Sequence, residues 1–137
     1  MGSPVITCLR YDDAPKAIEW LREAFGFEKH LIVPDEEGKI AHAQLRFGDG
    51  MIMLGSAGAH GEFDSFVKTP KELGGVGSMS VFVVVPDADV AEARAVAAGA
   101  EIIMPLVDQD YGGREFGCTD LEGNVWTFGS YDPWQEE

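Results

Sequence analysis

The stretch Val5-Ile6-Thr7-Cys8-Leu9-Arg10-Tyr11-Asp12-Asp13-Ala14-Pro15-Lys16-Ala17 decides the fold, because its outline occurs twice. Val5 to Tyr11 is a short apolar run rich in strand formers, and Asp12-Asp13-Ala14-Pro15 then supplies a helix cap and a proline for the first turn. Ser78 to Val85 is a second such run, followed by a second cap, Pro86-Asp87-Ala88-Asp89. Asp13 matches Asp87 and Ala17 matches Ala91, each pair 74 positions apart, and the same shift lays Asp49-Gly50 on Gly123-Asn124. A shared offset from the first cap to the last hairpin is a duplication. A unit of that length exceeds a solenoid repeat, so the two copies are expected to pair their sheets around one cleft.

Outward from the first cap, Ala17, Trp20, Leu21, Ala24 and Phe25 recur at helical spacing against Lys16, Glu19, Arg22 and Glu23, and Gly26 stops the helix. Strands are predicted at Phe27–Val33, Lys39–Phe47 and Met51–Leu54, the last two joined by the tight turn Gly48-Asp49-Gly50. The second half predicts a helix over Val90–Ala98, with Val90, Ala93, Val96 and Ala97 inward. Its strands fall near Glu101–Val107, Arg114–Thr119 and Asn124–Ser130. The expected architecture is therefore α+β, two tandem βαβββ modules forming curved mixed sheets around a cleft. It is one domain over 1–137, with module 1 at 4–54, a lid or linker at 55–77, module 2 at 78–130 and a tail at 131–137. The glycine-rich lid carries two aromatics, Phe63 and Phe66, and connections this long are often functional.

Composition bounds the partners. A chain of 137 residues that is 45% hydrophobic and 25% charged is an ordinary globular domain. With 10 Lys+Arg against 24 Asp+Glu the net charge of -14 repels phosphate backbones and anionic lipid, so neither nucleic acid nor membrane is expected as a partner. The same charge concentrates cationic small molecules. No run approaches the ~18 apolar residues of a membrane span, and the opening Met1-Gly2-Ser3-Pro4 has no basic or apolar leader, so a soluble cytoplasmic protein is expected. Cys8 and Cys118 have no Cys-x-x-C or Cys/His cluster around them and read as reduced thiols.

Three segments in order carry a resemblance: Asp13-Ala14-Pro15-Lys16-Ala17-Ile18-Glu19-Trp20; Ala41-His42-Ala43-Gln44-Leu45-Arg46-Phe47-Gly48; and Tyr111-Gly112-Gly113-Arg114-Glu115-Phe116 with Asp120-Leu121-Glu122-Gly123-Asn124-Val125-Trp126. Set on the internal repeat, they resemble the vicinal oxygen chelate superfamily, in its glyoxalase/bleomycin-resistance branch that includes PhnB-like members. That resemblance implies metal ligands at Ile6, Met53, Ser80 and Thr127, where this chain has no carboxylate and no imidazole. A divalent ion needs such donors. The metal-ligand positions are not retained, and neither a metal nor another cofactor is expected. An open curved sheet in each module leaves edges and apolar surface that a partner can cover, so a homodimer is expected, and the resemblance implies clefts that draw on one chain or on both.

Ligand-binding candidates follow from strand alternation. His42 and Gln44 share one face of their strand with Arg46, opposite Ala43 and Leu45, and are placed in the cleft. Met51 and Met53 give the next strand an adaptable apolar face. Ser80, Phe82, Tyr111, Arg114, Phe116, Thr127 and the tail residue Trp134, with Phe63 and Phe66 of the lid, complete the set. Trp20, Trp126 and Phe128 read as core, and His30 and His60 as surface residues. The function expected is metal-independent binding and sequestration of an aromatic small molecule, of antibiotic-resistance type, a cationic one being favoured by the charge. The alternative is a glyoxalase-type lyase or isomerase acting on a small oxygenated substrate, with His42 and Glu115 or Asp110 as acid and base.

Overall fold

The structure, a computed structural model, describes residues 2–135; Met1 and the last two residues of the expected tail, Glu136 and Glu137, lie outside the described residues. The elements run β1 (Thr7–Tyr11), α1 (Ala14–Phe25), β2 (Glu28–Pro34), β3 (Ile40–Phe47) and β4 (Gly50–Ser56). Two 3-10 turns, Gly61–Ser65 and Lys71–Leu73, interrupt the long connection. The series then repeats as β5 (Ser80–Val84), α2 (Ala88–Ala97), β6 (Glu101–Asp108), β7 (Arg114–Thr119) and β8 (Val125–Gly129). Each half is βαβββ, as the duplication predicts. Each forms a four-stranded sheet, ordered β1-β4-β3-β2 and β5-β8-β7-β6, and neither sheet closes. In both, the first and last strands of the module pair in parallel and the rest antiparallel.

The caps are the predicted ones. The Asp13 carboxylate accepts the backbone N–H of Lys16 at 3.1 Å, and Asp87 accepts that of Val90 at 3.2 Å. Gly26 ends α1 with φ 83°, a left-handed conformation that a side chain resists, and a Cβ there would stand 2.9 Å from Nη1 of Arg94. That close approach is one of the joints between modules. Arg94 of α2 donates from Nε to the Glu23 carbonyl at 2.8 Å and from Nη2 to the Arg22 carbonyl at 3.1 Å. Trp20, half-buried rather than fully enclosed, donates its indole N–H to the Ala98 carbonyl at 2.7 Å.

α2 presents a different face from the one its valines suggested. Ala88 and Ala95 are buried while Val90 and Val96 are 63% and 51% exposed. Small side chains at Ala88, Ala91, Ala95 and Ala98 let the helix lie close to its neighbours, and the valines turn to the outside.

One core joins the two helix-bearing sides. The Phe25 ring of α1 lies 5.0 Å from Trp126 and 4.6 Å from Phe128 of β8, and Phe116 of β7 stacks on Phe128 at 5.4 Å. Beneath these rings sits a carboxylate. Asp120 Oδ2 accepts the Tyr11 hydroxyl at 2.6 Å and the Trp126 indole N–H at 3.1 Å, while Oδ1 takes the backbone N–H groups of Glu122 and Asn124. Burial first, and then the charge of Asp120, push the Tyr11 phenol well above its ordinary range, so it remains a donor. Glu122 in turn accepts the N–H groups of Asp12 and Asp13 at 2.6 and 2.9 Å, which fixes the start of α1.

Trp126 is fully buried among these groups, so Trp126→Ala is expected to cost about 3–5 kcal/mol in denaturant unfolding. The two thiols should also separate. Burial pushes Cys118 up to about 12 and Cys8 is exposed, so a disulfide reagent at neutral pH should titrate one thiol in the native protein and the second only after unfolding.

Candidate functional site

With the helices on one side of each sheet, the other side is open, and register assigns its rows. In the first sheet Cys8 pairs with Met53, Met53 with Gln44, and Gln44 with Leu31, so these four share one row of the open face. The next row runs from Arg10 to Gly55 on β4 and from His42 to Val33 across β3 and β2. On the other side of the first row, Arg46 pairs with Met51 and with Glu28. His42, Gln44, Met51 and Met53 are all half-buried and turned away from Ala43, Leu45, Ile52 and Leu54, which are core.

The amide of Gln44 donates to His42 Nε2 at 3.0 Å, which leaves the proton of a neutral His42 ring on Nδ1. Leu31, Val33 and the methionines supply the apolar part of this face. The row of Arg10 and His42 thus supplies nitrogen donors, and the neighbouring row supplies sulfur and hydrocarbon.

The long connection adds a group that alternation within strands did not reveal. His60, read from sequence as a surface residue, lies over Gly55 of β4 and donates from Nε2 to the Ala41 carbonyl at 2.7 Å. Only glycine leaves room for it: a Cβ at Gly55 would lie 2.7 Å from both Cε1 and Nε2 of the ring. Asp64 accepts the His60 backbone N–H at 2.8 Å and stands 4.0 Å from Nε of Arg10, whose guanidinium lies 5.5 Å from the centre of the Phe63 ring. The hydrogen bond from His60, more than the nearby positive groups, holds the Asp64 carboxyl below its ordinary range. A glycine beside a strand, with a histidine five residues on, was the available signal. His30 is exposed, as expected.

On the second sheet the open face carries Phe82, Thr127, Gly117 and Met104 in one register row and Gly129, Glu115 and Val107 in the next. Gly129 makes space for the Phe82 ring, whose Cζ lies 3.0 Å from where a Cβ would be. Ser80 is exposed at the end of β5. Two candidates lie elsewhere. Phe116 is 1% exposed on the helix side, stacked on Phe128, because β7 alternates in phase with the core residues Trp126 and Phe128. Arg114 is held at the helix side by Asp89 and Asp108, each at 3.3 Å, which uses its charge in ion pairs.

Tyr111 bonds its hydroxyl to Glu115, which raises the phenol to about 12, and its ring meets Tyr131 edge-on at 5.1 Å. Phe63, Phe66 and Trp134 are 54%, 80% and 84% exposed. A groove of about 790 Å³ is lined by residues of both modules, Met51, Phe82 and Trp134 among them.

The positions that the fold family uses for a metal do not fit one. Ile6 has no donor, Met53 offers a thioether, and Ser80 and Thr127 offer neutral hydroxyls. Among the described residues no group of three or more His, Cys, Asp or Glu could hold an ion. The Gly55 site has its own test. Gly55→Ala should displace the His60 ring, abolish the hydrogen-bonded Nε2–H signal in the imidazole NMR spectrum and cost roughly 0.5–1.5 kcal/mol for the bond lost.

Comparison with known proteins agrees with this geometry. The chain is 33% identical to an uncharacterized protein of Mycobacterium bovis over 118 residues, which is 86% of this chain and 76% of that one. The crystal structure of TioX from Micromonospora sp. ML1 superposes with a TM-score of 0.70 at 35% identity, over 93% of this chain and 98% of TioX. The fosfomycin resistance protein FosX of Listeria monocytogenes shares the fold, with a TM-score of 0.68 at 14% identity, over 98% of this chain and 97% of that one. The profile of the Glyoxalase/Bleomycin resistance protein/Dioxygenase superfamily matches residues 4–128, and the chain belongs to that family.

Proposed function

We propose that this protein binds and sequesters an aromatic small molecule without a metal ion, on the open sheet faces, in a cytoplasmic homodimer. One observation carries the reading. On the first sheet a row of nitrogen donors borders a row of Cys8, Met53 and Leu31, while the positions that would hold a catalytic ion carry Ile6, Met53, Ser80 and Thr127. Thioether and aromatic surface with a few hydrogen-bonding groups is suited to capture of a flat ligand. The family name, which includes bleomycin resistance, and the likeness to FosX support a protective role of this kind.

Dimerisation follows from what the monomer leaves uncovered. Both sheets keep free edges, and both open faces expose large apolar side chains, Leu31 and Val33 on one and Phe82 and Met104 on the other. A second copy that sets its second sheet against the first sheet of its partner covers both. His42 and Glu115 sit on separate sheets within one chain, so acid–base chemistry would require the assembly to bring them together. The acid–base alternative depends on that meeting.

Thermal shift against a panel of aromatic natural products, with a chelator present and the compounds recovered for mass analysis, tests the proposal. A binder at 100 times its dissociation constant should stabilise by about 2.7 kcal/mol and be recovered unchanged. Conversion to a product, or binding that requires added Ni, Zn, Fe or Mn, contradicts it. In calorimetry with such a binder, His42→Ala should weaken affinity by roughly 0.5–1.5 kcal/mol with little change in unfolding. Light scattering at micromolar concentration should give twice the 14.8 kDa chain mass, and a monomer mass would refute the assembly.

A further inference from the structure

Arg10 is nine-tenths buried yet makes no hydrogen bond to a described residue. Its Nε is shut off from solvent without a partner, because Asp64 Oδ1 stands 4.0 Å away, too far for a hydrogen bond. Asp64 accepts the His60 backbone N–H through Oδ2, while its Oδ1, which has no hydrogen-bond partner of its own, stands 4.0 Å from Arg10 Nε and 3.7 Å from His60 Nδ1, so it neutralises Arg10 without bonding it. The terminal nitrogens of this largely buried guanidinium also bond no described residue, and an incoming anion would supply the acceptors there, leaving Nε as it is. The tenth of the side chain that solvent still reaches does not include Nε, so the terminal nitrogens are the available donors.

The surroundings specify what brings the anion. Phe63, more than half exposed, lies 5.5 Å from the guanidinium carbon and offers a ring face beside it. His42 lies in the same row of the sheet, and Met53 and Leu31 in the next. The molecule's net charge of -14 argues for cations only at long range, since salt screens it beyond about 8 Å at physiological strength. Locally the face is close to charge-balanced, with Arg10 facing Asp64 and Arg46 in register with Glu28, so the overall charge does not decide the sign of the ligand.

We infer that Arg10 recognises a carboxylate on the ligand, so that the molecule captured is an aromatic acid. Its carboxylate meets the guanidinium fork and its ring lies on Phe63 and the Met53–Leu31 row. This assignment rests on the sequestration reading and narrows it.

Three probes of one size separate the two claims: 2-naphthoate, 2-naphthamide and 2-naphthylmethylammonium, titrated calorimetrically into the full chain at neutral pH and about 0.15 M salt. The naphthoate should bind about tenfold or more tightly than the other two, as expected for charge-assisted bonds. Arg10→Gln should reduce it to the level of the amide, and Arg10→Lys, which keeps the charge without the fork, should retain part of the preference. The Arg10 Nε–H signal of the wild type should move with naphthoate and stay with naphthamide, which decides the matter even if a variant folds poorly. Equal binding of the three probes, a preference for the ammonium, or a preference that survives Arg10→Gln overturns the aromatic-acid assignment and leaves sequestration standing. Binding by none of them counts against both.

Discussion

The structure depends on how Phe25 of one module meets Trp126 and Phe128 of the other over a buried carboxylate. A 12-residue helix on a four-stranded sheet encloses little hydrophobic volume by itself. By sharing Phe25 across the joint, the two halves build a single core of aromatic rings. Asp120 makes that joint specific. Its oxygens take four hydrogen bonds, two from the side chains of Tyr11 and Trp126 and two from its own turn, so the buried charge is fully engaged and the modules fit in one orientation.

Joining the modules on their helix sides has a second effect. The opposite faces cannot be covered from within the chain, and the side chains placed there are free of the demands of core packing. That is why a polar row of Arg10, His42 and His60 and a soft row of Cys8 and Met53 can stand side by side in the first sheet. Gly55 is the enabling residue, since only its bare Cα lets the long connection bring an imidazole onto the sheet. Stability and recognition therefore occupy opposite faces of the same strands, and substitutions on the two should separate cleanly.

Much of this was legible in the sequence for a simple reason. Caps and strand periodicity are local, so Asp13 and Asp87 marked the helix starts and the common offset revealed the duplication. Alternation also placed His42, Gln44 and Met53 opposite Ala43 and Leu45, as the registers do. What failed were decisions made by long-range packing. Periodicity puts Val90, Ala93, Val96 and Ala97 on the buried face of α2, yet contact across the helix joint selects Ala88, Ala91, Ala95 and Ala98. Phe116 followed its strand into the core, because the phase of β7 is set by pairing with Trp126 and Phe128. His60 and Arg10 escaped because their partners, Ala41 and Asp64, lie too far along the chain for any local period to join them.

The central claim is that the open face binds and the helix side only supports. Methyl NMR of the methionines, recorded with the Trp126 indole signal while an aromatic binder is titrated, tests it most directly. The account predicts that the Met51 and Met53 methyl signals shift progressively to saturation and that the Trp126 Nε1–H signal stays in place. A Trp126 signal that moves to saturation while both methionine signals stand still would contradict it.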